Sequence, residues 1–303
     1  MVNAAAIAKA LGGRRSGRAY VACCPAHQDR TPSLSIADGD GGRVLVRCFA
    51  GCEQAQVIAA LQRRGLWPCR AAALPPPDPI AEAKRRETER RWDADNLARV
   101  QRTWRQATAL RAGDLAVRYL RGRGLAPPRM GWPPSLRCAS MRHPSGGAVA
   151  ALVVGACRWP ERSVSALQCT ALTEPGVKAP LDPVRWTLGS LRGAAVRLSR
   201  WQPGQELVLT EGTEDGLAVL EALPGAAVWA TLGAGNAARV VLPHGAEVVL
   251  CLDGDNAGRH AAQTAAHAFR EHGHGVRIAH LPDDLDPLNS LLQERGAAAG
   301  AQT

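Results

Sequence analysis

The chain has 303 residues, of which 46% are hydrophobic, 21% charged and 4% aromatic. This length suggests more than one domain, and the hydrophobic content excludes a wholly disordered chain. No apolar run approaches the ~20 residues that a membrane-spanning helix needs. The N-terminal stretch is too short, and too interrupted by Lys9, to be a secretory signal. We therefore expect a soluble, cytoplasmic protein with no membrane partner.

Charge is distributed unevenly along the chain. Residues 1–200 contain 32 Lys and Arg against 14 Asp and Glu, a net charge of +18, whereas residues 201–303 contain 5 against 13, a net charge of −8. A basic first part indicates a polyanionic partner, and an acidic last part indicates a separate carboxylate-rich site. A genomic preference for arginine would explain the scarcity of lysine, but it would not explain the change of sign.

Residues 1–70 form the first predicted domain. A short leading helix is followed by strands in SLSIADGDGGRVLVRC, where DGDGG is a hairpin-turn signal, and then by a helix from Glu53 to Arg64. The Pro-rich stretch 71–80 is a stiff linker. The following residues, from 81 to about 123, are charged with a helical pattern, so that 71–125 is predicted to be a linker plus helices.

Two close pairs of metal-ligand residues lie in the first domain. Two residues separate Cys24 from His27, and three separate Cys48 from Cys52, with a hairpin-length segment between the pairs. This spacing suits a tetrahedral zinc site, which with four protein ligands would be structural. Such an ion would order a module that is otherwise poor in core. Cys23 remains an alternative first ligand, and a set of reduced thiols beside a surface histidine is the alternative to a metal site.

The surrounding residues carry a family resemblance. CPAHQDRTPSLSI followed by RCFAGC resembles the zinc-binding domain of bacterial, phage and plasmid DNA primases, over about residues 20–67. The three-residue gap before Cys52 is similar to the phage and plasmid branch. The resemblance implies a zinc module that reads the template, in which Arg30, Arg43 and Arg47 are candidate phosphate contacts. Taken alone, each is equally consistent with a solvated surface arginine.

The second half of the chain changes pattern. Residues 126–202 contain β-like runs (AVAALVVGAC, SVSALQCTAL and AAVRLSRW), and from 203 onward strands alternate with helices. Continuous apolar strands that alternate with helices indicate a parallel sheet covered on both faces. We therefore predict an α/β fold overall, in which a small β-rich zinc ribbon and a helical linker precede a β-rich segment (126–202) and an α/β domain (203–303). The ligand site of such a sheet lies at the carboxyl ends of its strands.

Two of these strand ends are acidic. Glu211 follows one strand, and Asp253 and Asp255 follow another, in LDGDNAG. Two aspartates at i and i+2 with a glutamate from a neighbouring strand would form the oxygen-rich site that Mg²⁺ prefers. A calcium EF-hand is excluded because Ala257 occupies a ligand position and Thr264 occupies that of the bidentate glutamate. Solvated loop acids remain the alternative.

Residues 206–281 resemble the Toprim domain shared by primases, topoisomerases and certain nucleases, which has a strand-ending Glu-Gly and a later strand-ending Asp-x-Asp. The resemblance implies three catalytic acids that bind Mg²⁺ or Mn²⁺: Glu211, Asp253 and Asp255. It also implies a role for Glu211 in proton transfer, and Arg259, at the start of the next helix, is a candidate nucleotide or DNA contact. In the tail, DPLNSLL lacks the two acids usual in this family, and Asp286 is the possible substitute.

The segment between the two modules carries a weaker resemblance. GVKAPLDPVRW and GAAVRL, within residues 176–198, resemble the short β-rich segment that precedes Toprim in phage and plasmid primases. This implies that Lys178 and Arg185 hold nucleotide or primer phosphates, although both also fit plain surface cations.

A zinc module and a Toprim domain in one chain resemble the combination found in DNA primases. The resemblance implies synthesis of short RNA primers from nucleoside triphosphates on single-stranded DNA, with structural zinc and catalytic Mg²⁺. No Gly-x-x-x-x-Gly-Lys-Ser/Thr loop is present, so that a replicative helicase would be a separate partner. Two alternatives remain open: a Toprim-type nuclease or other phosphotransfer enzyme, and a catalytically silent, zinc-containing accessory protein that binds DNA.

Overall fold

A computed structural model describes residues 3–17, 19–29, 31–39, 43–67 and 79–281. The chain divides into two compact units, one ending at Trp92 and the other beginning at Asp93. Arg30 and Asp286, two of the predicted site residues, lie outside the described residues. The predicted domain boundaries after residues 70, 125 and 202 stay predictions.

The first unit is built around a four-stranded antiparallel sheet in the order β1-β2-β3-β4. Its strands are β1 (Arg14–Ser16), β2 (Ala19–Ala22), β3 (Leu34–Asp38) and β4 (Val44–Cys48). Its two short helices are α1 (Ala4–Ala10) and α2 (Gln54–Arg63). The leading helix, the hairpin strands and the helix predicted from Glu53 to Arg64 are all present.

One face of this sheet forms the core of the unit. In β4, Val46 and Cys48 are buried and Leu45 and Arg47 are exposed, as the two-residue period of a half-buried strand requires. Apolar residues of both helices pack on the buried face, so the core contains residues from all the longer elements: Ile7, Leu34, Ile36, Val46, Val57 and Leu61. This core is small, which is typical of modules that need a metal ion or a disulfide for stability.

A long helix, α3 (Pro79–Gln106), follows. It begins inside the predicted linker, because proline is accommodated in the first turn of a helix, where its missing N–H would have no partner. The charged stretch with helical pattern, from 81 to about 123, is interrupted by non-helical residues 107–114. Helix α4 (Leu115–Gly122) is separate, and Gly113, with φ +98°, precedes it in a conformation that an α-helix does not adopt.

The second unit contains an eleven-stranded sheet among the described residues. Its first strands are mainly antiparallel: β5 (Thr108–Ala109), β6 (Leu136–Arg142), β7 (Ala148–Arg158), β8 (Ala166–Thr173), β9 (Val177–Lys178), β10 (Arg185–Gly189) and β11 (Ala194–Arg197). The remaining strands are β12 (Leu207–Thr210), β13 (Ala227–Ala230), β14 (Glu247–Cys251) and β15 (Gly275–Ile278). Antiparallel pairing of β11 with β13 joins the two parts.

The last four strands form a parallel sheet in the order β13-β12-β14-β15. Helix α5 (Thr213–Ala222) packs on one face, whereas α6 (Ala234–Ala237) and α7 (Asn256–Glu271) pack on the other. All four residues of β12 are buried, which is why this strand reads as a continuous apolar run. The predicted α/β class and the mainly parallel sheet with helices on both faces are confirmed.

None of the helices in the described part of the chain has the length and apolar character needed to cross a bilayer.

Candidate functional site

Strand register brings the cysteine–histidine pairs together. Ala22 pairs with Leu34, and Leu34 pairs with Cys48, so that the end of β2 and the end of β4 lie at the same end of the sheet. Cys24 follows β2 by two residues, and Cys48 is the last residue of β4. His27 lies in the turn after Cys24, and Cys52 lies in the loop that leads into α2.

The four side chains form a compact cluster. One donor atom each from Cys24, His27, Cys48 and Cys52 lies within 4.8 Å of every other. The Nδ1 atom of His27 is 3.2 Å from the Cys52 Sγ and 4.0 Å from the Cys48 Sγ. In a tetrahedral site with zinc–ligand bonds of ~2.0–2.3 Å, donor atoms are separated by roughly 3.5–3.8 Å. The donor set and its spacing therefore fit zinc, and the cluster contains Cys24 rather than Cys23.

Two of the thiols differ in their electrostatics. Burial raises the pKa of Cys24 to about 12. Burial also acts on Cys48, but hydrogen bonds from the Ser33 hydroxyl and from the N–H groups of Cys52 and Ala50 outweigh it and lower the pKa of that thiol. Binding of a divalent ion would release the thiol protons.

A second group of polar residues lies at the carboxyl edge of the parallel sheet. Thr210 of β12 pairs with Cys251 of β14, so the two strands end side by side. Glu211 directly follows β12, and Asp253 follows β14 by two residues. Both line a cavity of about 270 Å³. This is the place where a doubly wound sheet binds its ligand.

The Glu211 carboxyl is in a strongly negative, partly buried environment. Burial raises its pKa, the negative charges of Asp255 and Asp215 raise it further, and a hydrogen bond from the Ala234 N–H opposes the shift. Asp215 also lines the cavity, and its Oδ2 accepts a hydrogen bond of 3.1 Å from the Gly212 N–H. A cation in this cavity would relieve the repulsion among these carboxylates.

The three predicted acids do not converge as tightly as the cysteine–histidine cluster. Among the described residues, that cluster is the one group of three or more Cys, His, Asp or Glu whose donor atoms all approach within 4.8 Å. Asp255 instead caps α7, where its Oδ1 accepts a 2.6 Å hydrogen bond from the Gly258 N–H. A side chain at position 258 would collide with the Asp253 carbonyl. The helix therefore starts directly against the strand end.

Cations line the same cavity. Lys178 and Arg185, both predicted, lie there together with Arg123, which was not predicted. Glu214 accepts hydrogen bonds from Arg123 Nε at 2.9 Å and from Arg185 Nη2 at 3.4 Å. It also accepts one of 2.7 Å from the buried hydroxyl of Tyr119, whose pKa is raised by burial and by the charge of Glu214. One carboxylate thus holds two arginines at the cavity.

Comparison with known families identifies three regions of the chain. The CHC2 zinc finger family matches residues 4–65, and the Toprim domain family matches residues 206–298. A domain of unknown function, DUF7146, matches residues 94–198. These matches confirm the resemblance to a DnaG-type primase.

A curated relative and several solved structures are also similar to this chain. The DNA primase of Halalkalibacterium halodurans is 35% identical over 94 residues, which are 30% of this chain and 16% of that primase. The primase fragment of the bacteriophage T7 primase-helicase is 22% identical, with a TM-score of 0.39, over 55% of this chain and 66% of that one. The Aquifex aeolicus primase is 17% identical, with a TM-score of 0.40, over 100% and 82%.

The remaining predicted cations of the chain lie at the surface. Arg43 and Arg47 are exposed residues of the zinc finger domain, and the Arg47 guanidinium lies 5.4 Å from the ring centre of Phe49. Phe49 itself is 66% exposed. Arg259 lies in the first turn of α7, where it donates to the Gly254 carbonyl and, at 2.8 Å, to Asn256 Oδ1.

Sequence reasoning missed Arg123 and Tyr119, which contact Glu214 across 91 and 95 residues of the chain. No local pattern marks Arg123 in a chain this rich in arginine. Glu214 fits the Glu-Gly-x-Glu form of the Toprim resemblance, but that fit assigns it no partner. Asp215 was also missed, and its place beside Glu214 in the first turn of α5 was the available signal.

Proposed function

We propose that the chain synthesises short RNA primers on single-stranded DNA by Mg²⁺-dependent nucleotidyl transfer. The supporting observation is the cavity at the edge of the parallel sheet, which is lined by Glu211 and Asp253 and also by Lys178, Arg123 and Arg185. A nucleoside triphosphate carries both a polyphosphate, which needs cations, and a reacting phosphorus, which needs a divalent metal.

The acids would hold the metal. Glu211, Asp253 and Asp255 supply the carboxylate oxygens that Mg²⁺ prefers, and their mutual repulsion favours a cation. When bound, Mg²⁺ would orient the triphosphate and neutralise the charge that develops on the leaving pyrophosphate. Glu211, with its raised pKa, is the residue best suited to accept a proton from the attacking 3′-hydroxyl.

The cations would hold the substrate. Arg123 and Arg185 each contact Glu214, and this shared carboxylate orients both guanidinium groups at the cavity. Lys178 lines the same cavity and is exposed. We assign these three residues to the triphosphate and the primer phosphates.

The basic first part of the chain would hold the template. Its exposed arginines include Arg43 and Arg47 of the zinc finger domain, and the exposed ring of Phe49 beside Arg47 offers a surface on which a base can stack. Zinc at Cys24, His27, Cys48 and Cys52 would order this domain. A separate replicative helicase remains part of the proposal by family resemblance.

The decisive experiment is a primer synthesis assay with single-stranded DNA, Mg²⁺ and labelled ribonucleoside triphosphates. We expect wild type to make short RNA and Asp253→Asn and Asp255→Asn to lose about 100-fold or more of the rate, because metal stabilisation of the transferred phosphoryl group contributes several kcal/mol. Glu247→Gln is the matched control, since Glu247 is an exposed acid at the opposite end of the same strand, β14.

The same assay tests the alternatives. Cleavage of DNA without incorporation of ribonucleotides would replace the primase proposal by a Toprim nuclease. Neither synthesis nor cleavage, combined with tight binding of single-stranded DNA that Asp253→Asn leaves intact, would indicate a silent accessory protein.

Template binding has its own test. If about four phosphates are contacted, the affinity for single-stranded DNA should fall roughly 50-fold between 50 and 200 mM salt, because each contact releases counterions. Arg47→Ala should reduce the salt slope by nearly one contact, whereas Arg270→Ala, on the last turn of α7 in the acidic domain, should leave it unchanged. Salt-independent binding would contradict this part of the proposal.

A further inference from the structure

Asp29 is a buried carboxylate in the loop between β2 and β3. Its side chain is 6% exposed. Its Oδ2 accepts hydrogen bonds from the Cys24 N–H at 2.7 Å, the Ser33 hydroxyl at 2.6 Å and the Ser33 N–H at 3.2 Å. Its Oδ1 accepts one from the Thr31 N–H at 3.2 Å. Four donors around one carboxylate fix its orientation closely.

These contacts reach three of the four members of the cysteine–histidine cluster. The backbone of Cys24 is bound directly. His27 directs Nδ1 towards the thiols, at 3.2 Å from the Cys52 Sγ, and its other ring nitrogen, Nε2, lies 3.6 Å from the Asp29 Oδ1. The Ser33 hydroxyl, which donates to Asp29, is 3.6 Å from the Cys48 Sγ.

The distance of 3.6 Å between Asp29 and His27 is longer than a hydrogen bond, but it lies within the range of an electrostatic contact. A metal-bound imidazole commonly directs its second N–H at a carboxylate, which fixes the ring and its tautomer and strengthens the ligand. The arrangement of Asp29, His27 and the thiols matches that pattern with Nδ1 towards the metal.

From this geometry we infer that Asp29 is a positioning residue of the zinc site: it orients His27 and the Cys24 backbone directly, and Cys48 through Ser33. The inference rests on the proposed zinc site and concerns its affinity, not primer synthesis.

In the 303-residue chain, Asp29→Asn separates the contact with His27 from the contacts with Cys24 and Ser33. The amide can keep its oxygen towards Cys24 and Ser33, while it presents an NH₂ group, a donor, to His27 in place of an acceptor. We expect the zinc dissociation constant, measured by competition with a colorimetric chelator, to rise about 10–100-fold. The visible absorption bands of the Co²⁺-substituted chain should shift as well, because a change in the orientation of the His27 imidazole alters the ligand field at the metal.

Two further variants keep the test decisive. Ser33→Ala removes the link to Cys48 while the charge of Asp29 remains, and it should weaken zinc less than Asp29→Asn. Asp38→Asn is the control, since Asp38 is another acid of this domain that binds only the Ala4 N–H, at 2.8 Å, among its described contacts, and it should keep wild-type zinc affinity and the Co²⁺ spectrum. Far-ultraviolet circular dichroism at saturating zinc verifies that each variant is folded.

Wild-type zinc affinity together with an unchanged Co²⁺ spectrum in Asp29→Asn would overturn the inference, as would an equal loss of affinity in Asp38→Asn. A wild-type chain that binds no zinc would instead refute the zinc site itself, and this outcome is separate from the result of the primer synthesis assay.

Discussion

The cysteine–histidine cluster and the acidic edge of the parallel sheet are both assembled from residues distant in sequence, yet only the first is closed. Its four donor atoms lie within 4.8 Å of one another. At the sheet edge, Glu211 and Asp253 line a cavity, whereas the Asp255 side chain caps α7. The difference follows from charge: the carboxylates at the sheet edge repel each other, and the cluster contains no carboxylate.

The surroundings of the two regions also differ. Asp29 bonds the Cys24 N–H and the Ser33 hydroxyl, and that hydroxyl lies 3.6 Å from the Cys48 Sγ. The cavity at the sheet edge is lined by acids, Glu211 and Asp253 among them, and by three cations, Lys178, Arg123 and Arg185. A closed set of four protein ligands suits a structural ion, and an open set suits an ion that must also contact substrate. This difference supports the proposal of a structural ion in the first region and of chemistry in the second.

The largest effect should come from breaking the closed cluster. Cys48→Ser removes one thiolate, and we expect loss of zinc and of the thermal transition of the unit that ends at Trp92, because zinc binding contributes ~10–16 kcal/mol to the folding of small zinc modules. Calorimetry and metal analysis of the purified chain measure both quantities.

Cys23→Ser is the control for this substitution, since Cys23 lies outside the cluster. It should keep zinc and both thermal transitions. Loss of zinc in Cys23→Ser but not in Cys24→Ser would mean that the ligand assignment at this pair is wrong.

A second test uses the metals themselves. Because Mg²⁺ is proposed to bind only the open edge, it should raise the melting temperature of the unit that begins at Asp93 and leave the zinc-dependent transition unchanged. At about 100 times its dissociation constant, a ligand adds ~2.7 kcal/mol to the free energy of unfolding. Asp253→Asn should abolish the shift and Glu247→Gln should preserve it. A shift of both transitions would show that the two sites are not separate.

The third effect concerns Arg123 and Arg185, which contact Glu214 at the open edge. Glu214→Ala leaves the buried Tyr119 hydroxyl and two arginines without their acceptor, and should lower the free energy of unfolding by about 1–3 kcal/mol. In the background of Tyr119→Phe the same change should cost less, and a double-mutant cycle measures the difference.

An exposed ion pair formed by Arg118, the neighbour of Tyr119 on α4, provides the control for Glu214. Arg118 binds Glu174 at 2.7 Å, but Glu174 is 70% exposed, so Glu174→Ala should change stability by less than about 1 kcal/mol. Equal losses in Glu174→Ala and Glu214→Ala would contradict a special role for the buried carboxylate.

The sequence predicted those parts of the fold whose hydrophobic patterns extend over many residues. The alternation of apolar strands and helices after residue 203 predicted the parallel sheet, because both faces of each strand are buried. It did not predict α6, which has four residues, or β9, which has two, since such short elements depend on tertiary contacts. The end of α3 at Gln106 was missed because charged helical spacing continues through the turn at Gly113.

The sites, too, were predicted best where their residues are close together in the sequence. Cys24 with His27 and Cys48 with Cys52 are close pairs, so spacing alone suggested a shared ion. The contacts of Glu214 with Tyr119 and Arg123 span more than 90 residues, and only the packing of α4 against the sheet creates them. The capping role of Asp255 was hidden for another reason: the same Asp-x-Asp spacing serves a helix start and a metal site equally well.

The smallest effect expected is a change in pH dependence at Glu211. Its pKa in the folded chain is raised above the usual 4.5, mainly by burial. As pH increases, the unfolded chain therefore releases this proton first, and the metal-free unit loses stability in the window between 4.5 and the folded pKa. Glu211→Gln cannot ionise, so without Mg²⁺ its melting temperature should exceed that of wild type at neutral pH, and the two should converge as pH falls below 4.5.

Added Mg²⁺ should reverse this order at neutral pH, because only the wild-type carboxylate gains a bound cation. Thermal melts across pH, with and without Mg²⁺, measure both effects, and Glu247→Gln serves as the control. A difference between Glu211→Gln and wild type that stays constant with pH would mean that Glu211 affects packing alone. Glu211 would then bind no Mg²⁺ through its charge. The open edge and the closed cluster would differ only in the arrangement of their residues.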